Sequence, residues 1–237
     1  MIQTCKYCGN ANPIHSLECK SCNAILRDRV VNIDLWSTIA YLIESPTTTL
    51  ANIIKAENKN FIIFLSFLLI LKVHLISISC YSAFSVNTIS LSVGLLLLSV
   101  LFGYLLLTIC SSGLKSLIKL TNNIESRFKD IFSILTYSTL PIIISLIILT
   151  PLEIAVFGST LFTFEPSPFL LKPYFAWFFV IVEFSLFVWY LILNTIGINI
   201  YLNNRIYSFL ISILQVTLLI GLQGIFLYYI TSIYFHY

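Results

Sequence analysis

Charged residues are scarce in this chain. Asp, Glu, Lys and Arg make up only 10% of its 237 residues, whereas they make up about 25% of an ordinary soluble domain. Apolar residues account for 58% of the sequence. This composition excludes a soluble globular fold and indicates a protein that crosses a lipid bilayer several times.

The sequence motifs of common catalytic sites are also missing. The chain has no phosphate-binding loop, no GxSxG nucleophile turn, no HExxH motif and no EF-hand spacing. It also lacks the concentrated basic stripe that is typical of a nucleic-acid-binding surface. We therefore expect a protein that is not an enzyme and does not bind nucleic acid.

The N-terminus lacks the order of a cleavable signal peptide, in which a basic stretch precedes an apolar run. The first 28 residues are polar and carry cysteines. We expect the first apolar span to act as the insertion signal and to be retained.

Two CxxC pairs stand in the N-terminus instead, with CKYC at positions 5–8 and CKSC at positions 19–22. Each such turn presents two thiolates to one metal ion, and two turns complete a tetrahedral site. We predict a zinc ribbon over residues 1–28, and two disulfides are the alternative. The predicted zinc ligands are Cys5, Cys8, Cys19 and Cys22. Four protein ligands leave no open position, so the zinc would be structural, and reduced thiolates would place the N-terminus in the cytoplasm.

From residue 61 onward, long apolar stretches alternate with short polar breaks. A transmembrane helix needs about 20 predominantly apolar residues. Five stretches meet this requirement: 61–81, 89–112, 131–151, 174–197 and 208–233. We therefore predict an all-α polytopic membrane protein with a five-span membrane domain at 61–237.

The segment 29–60, ahead of the membrane domain, is amphipathic. Asp34 is a good N-cap for a helix that ends near Glu44, and Ser45 followed by Pro46 is typical of the start of a second helix. The two helices either lie in the cytoplasmic interface of the membrane or form a linker that packs on the membrane helices.

Basic residues are distributed unevenly around the predicted spans. With the N-terminus inside, eleven of the 13 Lys and Arg residues fall in cytoplasmic parts, the outer parts hold only Lys172, and one span holds Lys72. Basic residues accumulate on the cytoplasmic side of membrane proteins, so this pattern agrees with the orientation that the cysteines indicate. An odd number of spans places the C-terminal Tyr237 outside.

Four ionisable residues lie in or beside the apolar spans. Lys72 and His74 fall in the middle of the first span, Glu183 falls in the fourth, and Glu153 lies at the outer end of the third. Such groups are costly in hydrocarbon and are usually paired or functional. Lys72 and Glu183 lie at similar depth and can form a structural pair. The alternative is a proton or ion path through Lys72, His74 and Glu183.

Prolines and a tyrosine mark the third span. Pro141 and Pro151 interrupt it, and Tyr137 precedes Pro141 by one helical turn. Residues 128–158, FKDIFSILTYSTLPIIISLIILTPLEIAVFG, resemble the central signature of the YIP family, the Ypt/Rab-interacting membrane proteins and their prokaryotic relatives. The family also has a proline that opens a short helix ahead of the membrane domain, which Pro46 matches. The resemblance covers about residues 34–233.

The resemblance implies five spans and a cytoplasmic N-terminus. The predicted zinc ribbon at residues 1–28, called the head below, is similar to the bacterial and archaeal branch of the family. The N-termini of eukaryotic members instead engage trafficking GTPases and vesicle factors. The resemblance therefore implies an integral protein of the prokaryotic cytoplasmic membrane, in a branch without an assigned reaction.

The function that we expect is non-catalytic: the protein organises the membrane or protein partners, and the zinc ribbon is a cytoplasmic docking module. The expected partners are the lipid bilayer and a protein at the head, and a homo-oligomer is compatible with the sequence. The alternative is a small-solute or ion transporter or channel that uses Lys72, His74 and Glu183.

Overall fold

The structure is a computed structural model that describes residues 2–13, 15–27, 30–84, 93–122, 126–162 and 166–235. The start of the predicted second span, 89–92, and the C-terminal Tyr237 lie outside these residues. Five segments are long and apolar enough to cross a membrane: Ile62–Ser79, Gly94–Thr121, Leu140–Phe162, Pro173–Leu202 and Arg205–Ser232. The chain is therefore an all-α polytopic membrane protein, as its composition and hydropathy predict.

The elements follow one another in a simple order. A short antiparallel pair, β1 (Ile2–Thr4) and β2 (Ala11–Pro13), begins the chain. The helices are α1 (Leu35–Glu44), α2 (Pro46–Lys55), α3 (Ile62–Phe84), α4 (Val93–Asn122), α5 (Phe128–Ser138), α6 (Leu140–Ile144), α7 (Thr150–Phe157), α8 (Pro168–Leu171), α9 (Pro173–Leu202) and α10 (Arg205–Phe235). A π-helical turn at Ser145–Leu149 joins α6 to α7, and a 3₁₀ turn at Gly158–Phe162 follows α7.

The two helices of the amphipathic segment differ in how they are packed. Helix α2 begins at Pro46, buries Leu50 and contacts α5, so it is a packed helix. Helix α1 is capped by Asp34, whose side chain accepts the Trp36 N–H. It leaves Trp36 and Ile43 exposed by 79% and 64%. Helix α1 thus carries an apolar surface that α2 lacks, and this surface is typical of a helix lying in a membrane interface.

Helix α4 extends beyond residue 112, where the second span was predicted to end. Leu114 and Ile118 are buried in its last turns, whereas Lys115 and Lys119 are exposed. Residues four apart lie on the same face of a helix. The helix therefore continues past its apolar part as an amphipathic extension that ends at Asn122.

The third apolar segment is broken into several helices. Helix α5 ends before Pro141, which has no N–H for an α-helical hydrogen bond, and Pro151 lies in the first turn of α7. The apolar segment of membrane length runs over Leu140–Phe162 rather than over 131–151. The boundary differs because α5 contacts α2 and is largely buried, which makes it a packed element with a buried charge, Asp130.

The chain forms two compact units. One consists of Met1–Ile62, Thr108–Ser138 and Ile192–Ser212, and the other of Ile63–Leu107, Thr139–Leu191 and Ile213–Tyr237. Each has its own apolar core. Fully buried side chains of the first unit include Ile53, Ile118, Ile134, Tyr137 and Leu193, and those of the second include Leu65, Ile70 and Leu227.

Candidate metal centre and membrane polar site

The two CxxC pairs fold into turns with the same backbone pattern. In the first turn the Gly9 N–H donates to the Cys5 carbonyl at 3.0 Å, and in the second the Asn23 N–H donates to the Cys19 carbonyl at 3.0 Å. Gly9 and Asn23 have positive φ angles of 70° and 56°. Gly and Asn are the residues that adopt this left-handed conformation most readily, so the residue after each pair allows the turn to close.

The four thiols converge on one point. Their Sγ atoms all lie within 4.8 Å of one another, with Cys5 and Cys22 3.6 Å apart and Cys8 and Cys19 3.5 Å apart. Two sulfur ligands of a tetrahedral zinc are about 3.8 Å apart when each bond is about 2.3 Å. A disulfide bond is about 2.05 Å long. The arrangement is therefore compatible with a single metal ion held by all four cysteines, and the structure shows them as free thiols.

Hydrogen bonds to Cys19 favour its metal-binding form. The backbone N–H groups of Cys22 and Ser21 lower the pKa of Cys19 from 9.0 to about 6. The thiolate is the form of cysteine that binds metal ions. The second turn therefore favours the ligand form of Cys19 through its own backbone.

Asn12 links the two turns and was missed by the sequence analysis. It is buried, and its side-chain Nδ2 donates to the Cys19 Sγ at 3.4 Å and to the Asn10 carbonyl at 3.0 Å. Its Oδ1 accepts the Lys20 N–H at 3.0 Å. Hydrogen bonds of this kind orient metal ligands. The spacing of the cysteines contains no signal for this residue, because its role depends on how the two turns pack.

Arg27 joins the head to α2. Its guanidinium donates to the His15 carbonyl at 2.9 Å and to the Lys55 carbonyl at 2.8 Å. Lys55 is the last residue of α2, where helix carbonyls lack partners within the helix. His15 therefore contributes its backbone here, and its ring is not part of the converging ligand set.

A buried ionic network caps the same end of α2. Lys59 lies 3.2 Å from Asp130 and donates to the carbonyls of Ile53 and Ile54. Arg127 donates to Asp130 at 2.9 Å and to the Ile54 carbonyl at 3.3 Å. The side chains of Lys59 and Asp130 are 1% and 0% exposed. Burial lowers the pKa of Lys59 to about 8, although Asp130 opposes the shift.

The positions that resemble the YIP signature serve packing and helix starts. Tyr137 is fully buried and donates its hydroxyl to the Asn60 carbonyl, which ties α5 to the segment before α3. Pro46, Pro141 and Pro151 each lie in the first turn of a helix. In the structure Tyr137 therefore joins two segments, and the three prolines set where helices begin.

In the second unit, Lys72 and Glu183 form the contact that their depth in the sequence predicts. Lys72 Nζ lies 2.7 Å from Glu183 Oε1 and donates to Thr150 Oγ1 at 2.9 Å. The Ser145 hydroxyl donates to the same Glu183 oxygen at 2.5 Å. The side chains of Lys72 and Glu183 are 6% and 25% exposed. A charge pair at this level of burial is stabilised by such additional hydrogen bonds.

Sequence analysis missed the two hydroxyl residues of this cluster. Ser145 begins the π-helical turn and Thr150 follows it. Turns of this type occur often at functional sites because they rotate side chains out of the regular helical register. The available signal was the presence of two polar residues within an otherwise apolar segment.

A cavity of about 620 Å³ adjoins this pair within the second unit. Lys72, Glu183, Thr150 and Glu153 contribute polar atoms to its wall, and most of the remaining wall is apolar. The Glu153 carboxylate lies within electrostatic range of Lys72 and Glu183, but it makes no hydrogen bond to any residue in the described part of the chain. The cavity therefore has one cationic and two carboxylate side chains.

His74 belongs to a different cluster. Its Nδ1 lies 2.8 Å from Ser99 Oγ, and Gln223 donates to the same hydroxyl at 2.6 Å and to the Ser99 carbonyl at 2.9 Å. All three residues are buried, and none lines the cavity. The three residues of the predicted ion path therefore fall into two separate sets of hydrogen bonds, with Lys72 and Glu183 in one and His74 in the other.

Comparison with protein-family models, with curated proteins and with solved structures finds no match to this chain.

Proposed function

We propose that this protein is a non-catalytic, YIP-like integral membrane protein that organises membrane or protein partners, with its head acting as a docking module. The geometry of the four cysteines carries this proposal. A metal ion held by four protein ligands has no open position for a substrate. The head then supplies a stable surface rather than a reaction, and zinc is the metal that a four-cysteine tetrahedral site favours.

The surface of the head supports docking. Tyr7 lies inside the first CxxC turn and is 83% exposed, and Ile25 follows the second turn and is 78% exposed. Exposed apolar side chains on a small domain are candidate anchors for a protein partner. The position of Tyr7 depends on the metal-bound turn, so docking through it would require the metal.

We further propose that the head lies in the cytoplasm of a prokaryotic cell and the C-terminus outside its cytoplasmic membrane. Two independent observations support this orientation: the thiol ligands, which need a reducing compartment, and the excess of basic residues in the parts placed inside.

Metal analysis tests the zinc ribbon. The purified full chain is expected to contain about one zinc per chain, and Cys5→Ser should lose it and unfold the head. Cys110→Ser is the matched control, because Cys110 lies in α4, away from the four converging thiols. Full zinc content in the Cys5 variant, or two disulfides in protein taken from the cytoplasm, would contradict the proposal.

Site-specific crosslinking tests the docking function. A photo-crosslinking residue at position 7, in the full chain in native membranes, should give a discrete protein adduct that disappears in Cys5→Ser. The same residue at position 174, which is 90% exposed at the start of α9, is the control and should not give that adduct. An adduct at position 7 that persists without the metal would show that the metal head is not the docking module.

A small-solute or ion transporter is the second candidate, and the cavity beside Lys72 and Glu183 is the observation that favours it. The test is the charge-free double variant, Lys72→Met with Glu183→Gln. Loss of solute flux in folded protein would favour transport, whereas retention of the cellular phenotype would favour the organising function. His74 is left out of this candidate, because it lies in the separate cluster with Ser99.

A further inference from the structure

We infer that the cavity binds a lipophilic organic cation, a molecule that carries a quaternary or delocalised positive charge on an apolar body. This inference rests on the second candidate function and deepens it, because it names the class of solute that the cavity takes. Three features of the cavity carry it: the balance of charge, the nature of the apolar wall and the volume.

The charge balance in the wall is negative. Lys72 is already committed to Glu183 and Thr150 at hydrogen-bonding distance. Glu153 is a second carboxylate that shares this single cation with Glu183, and its side chain has no hydrogen-bond donor among the described residues. A carboxylate that is only partly compensated in an apolar wall is costly, and a bound cation would neutralise it. A bound anion would instead have to compete with Glu183 for Lys72.

The apolar wall is rich in aromatic rings. Six phenylalanines line the cavity: Phe157, Phe162, Phe169, Phe179, Phe184 and Phe187. Phe157 and Phe179 are buried and pack edge to face, with ring centroids 6.0 Å apart. The face of an aromatic ring attracts cations, and aromatic cages are the usual sites for quaternary ammonium groups. The wall thus offers a cation both carboxylate charge and ring faces.

The size and access of the cavity fit a molecule of this class. Its volume of about 620 Å³ lies within the range of small-molecule sites in proteins, roughly 300–1,000 Å³. Phe184 lines the cavity and is 64% exposed, so the cavity reaches the surface of this unit. A hydrophobic cation could therefore enter it from a membrane that surrounds the helices.

Tetraphenylphosphonium is the probe for this site. Binding of the radiolabelled cation to the full chain, purified in an uncharged detergent, is expected to be saturable. Tetraphenylborate has nearly the same shape and the opposite charge, so it is the matched probe and is expected to bind at least about tenfold more weakly. Equal binding of the two probes would show an apolar cavity that is indifferent to charge, as for a lipid chain, and would overturn the inference.

Variants assign the binding to the cavity. Glu153→Gln keeps the shape of the side chain and is expected to weaken tetraphenylphosphonium binding at least about tenfold. Phe187→Leu should weaken it about threefold through loss of a ring face. Glu44→Gln in α1 and Phe64→Leu in α3 are the controls, because neither residue lines the cavity. Unchanged binding in Glu153→Gln, in protein of parental thermal stability, would reject the site.

Transport is measured in a separate experiment, so that cation binding by the cavity and the transporter function can each be rejected independently. Proteoliposomes loaded with methyl viologen, a cation that crosses lipid slowly, would report flux. Selective cation binding without flux supports the site and rejects the transporter function. Flux of uncharged solutes without cation binding supports a transporter and rejects this inference.

Discussion

Replacing Lys72 by Met is expected to lower the free energy of unfolding by about 3–5 kcal/mol, the usual cost of breaking a buried ion pair. The Lys72 ammonium contacts Glu183 at 2.7 Å and Thr150 at 2.9 Å. Met has a similar length and no charge, so Glu183 would keep one hydrogen-bond donor, the Ser145 hydroxyl. Glu153, within electrostatic range of both charges, would become a second carboxylate with no cation beside it.

Replacing Glu183 by Gln should cost less, about 1–3 kcal/mol. The side-chain carbonyl of Gln accepts hydrogen bonds, so Lys72 and Ser145 would keep a partner. The negative charge of Glu153 would still act on Lys72. The geometry therefore predicts which variant loses more free energy of unfolding: Lys72→Met should be less stable than Glu183→Gln.

The double variant should recover at least about half of the loss seen in Lys72→Met, because no member of the pair is then left charged and alone. Reversible unfolding in mixed micelles, followed by circular dichroism, measures the parent and the three variants. Lys119→Met is the control, because Lys119 is exposed on α4, and it should change stability by less than about 0.5 kcal/mol. A double variant as unstable as Lys72→Met, or a Lys72 variant as stable as the parent, would refute this reasoning.

Three further predictions concern the first unit and the topology. Asp130→Asn should cost about 3 kcal/mol in the same unfolding assay, because the Lys59 ammonium stays buried without a carboxylate. Asp34→Asn is its control and should change stability by less than about 0.5 kcal/mol, since Asn caps a helix as well as Asp. Equal losses of stability in the two variants would contradict the role of the ionic network around Asp130. Gly197→Ala should cost about 1–3 kcal/mol, because the added Cβ would collide with the Ile134 side chain of α5. Gly113→Ala is the control: a Cβ added there has no atom within 4 Å, so the change should be neutral or stabilising in a helix. A similar loss of stability in the two variants would show that the close helix approach at Gly197 is not the cause. A reporter enzyme that is active only outside the cytoplasm should be active when it is fused to the C-terminus. Activity of a reporter that works only in the cytoplasm would mean an even number of spans.

Hydropathy and short-range spacing determine a large part of this protein. Apolar length alone predicts membrane-spanning helices, because backbone polar groups in lipid must be satisfied within the segment. The CxxC spacing predicts that four thiols converge, since each turn is a local structure. Asp34 and Pro46 predict the starts of α1 and α2 for the same reason: a helix cap involves residues only two or three positions apart.

Only the tertiary structure decides which polar residues meet. Membrane helices are apolar on the sides that face lipid and on the sides that face protein, so hydropathy gives the depth of a residue but not its direction. Depth predicts that Lys72 and Glu183 can pair, and the same information places His74 with them, although packing directs it to Ser99 instead. The contact between Lys59 and Asp130 likewise joins segments that lie far apart in the chain. The cavity beside Glu153 is lined by residues of α3, α7 and α9, which lie far apart in the chain, and such a gap is a property of packing that no local pattern in the sequence encodes.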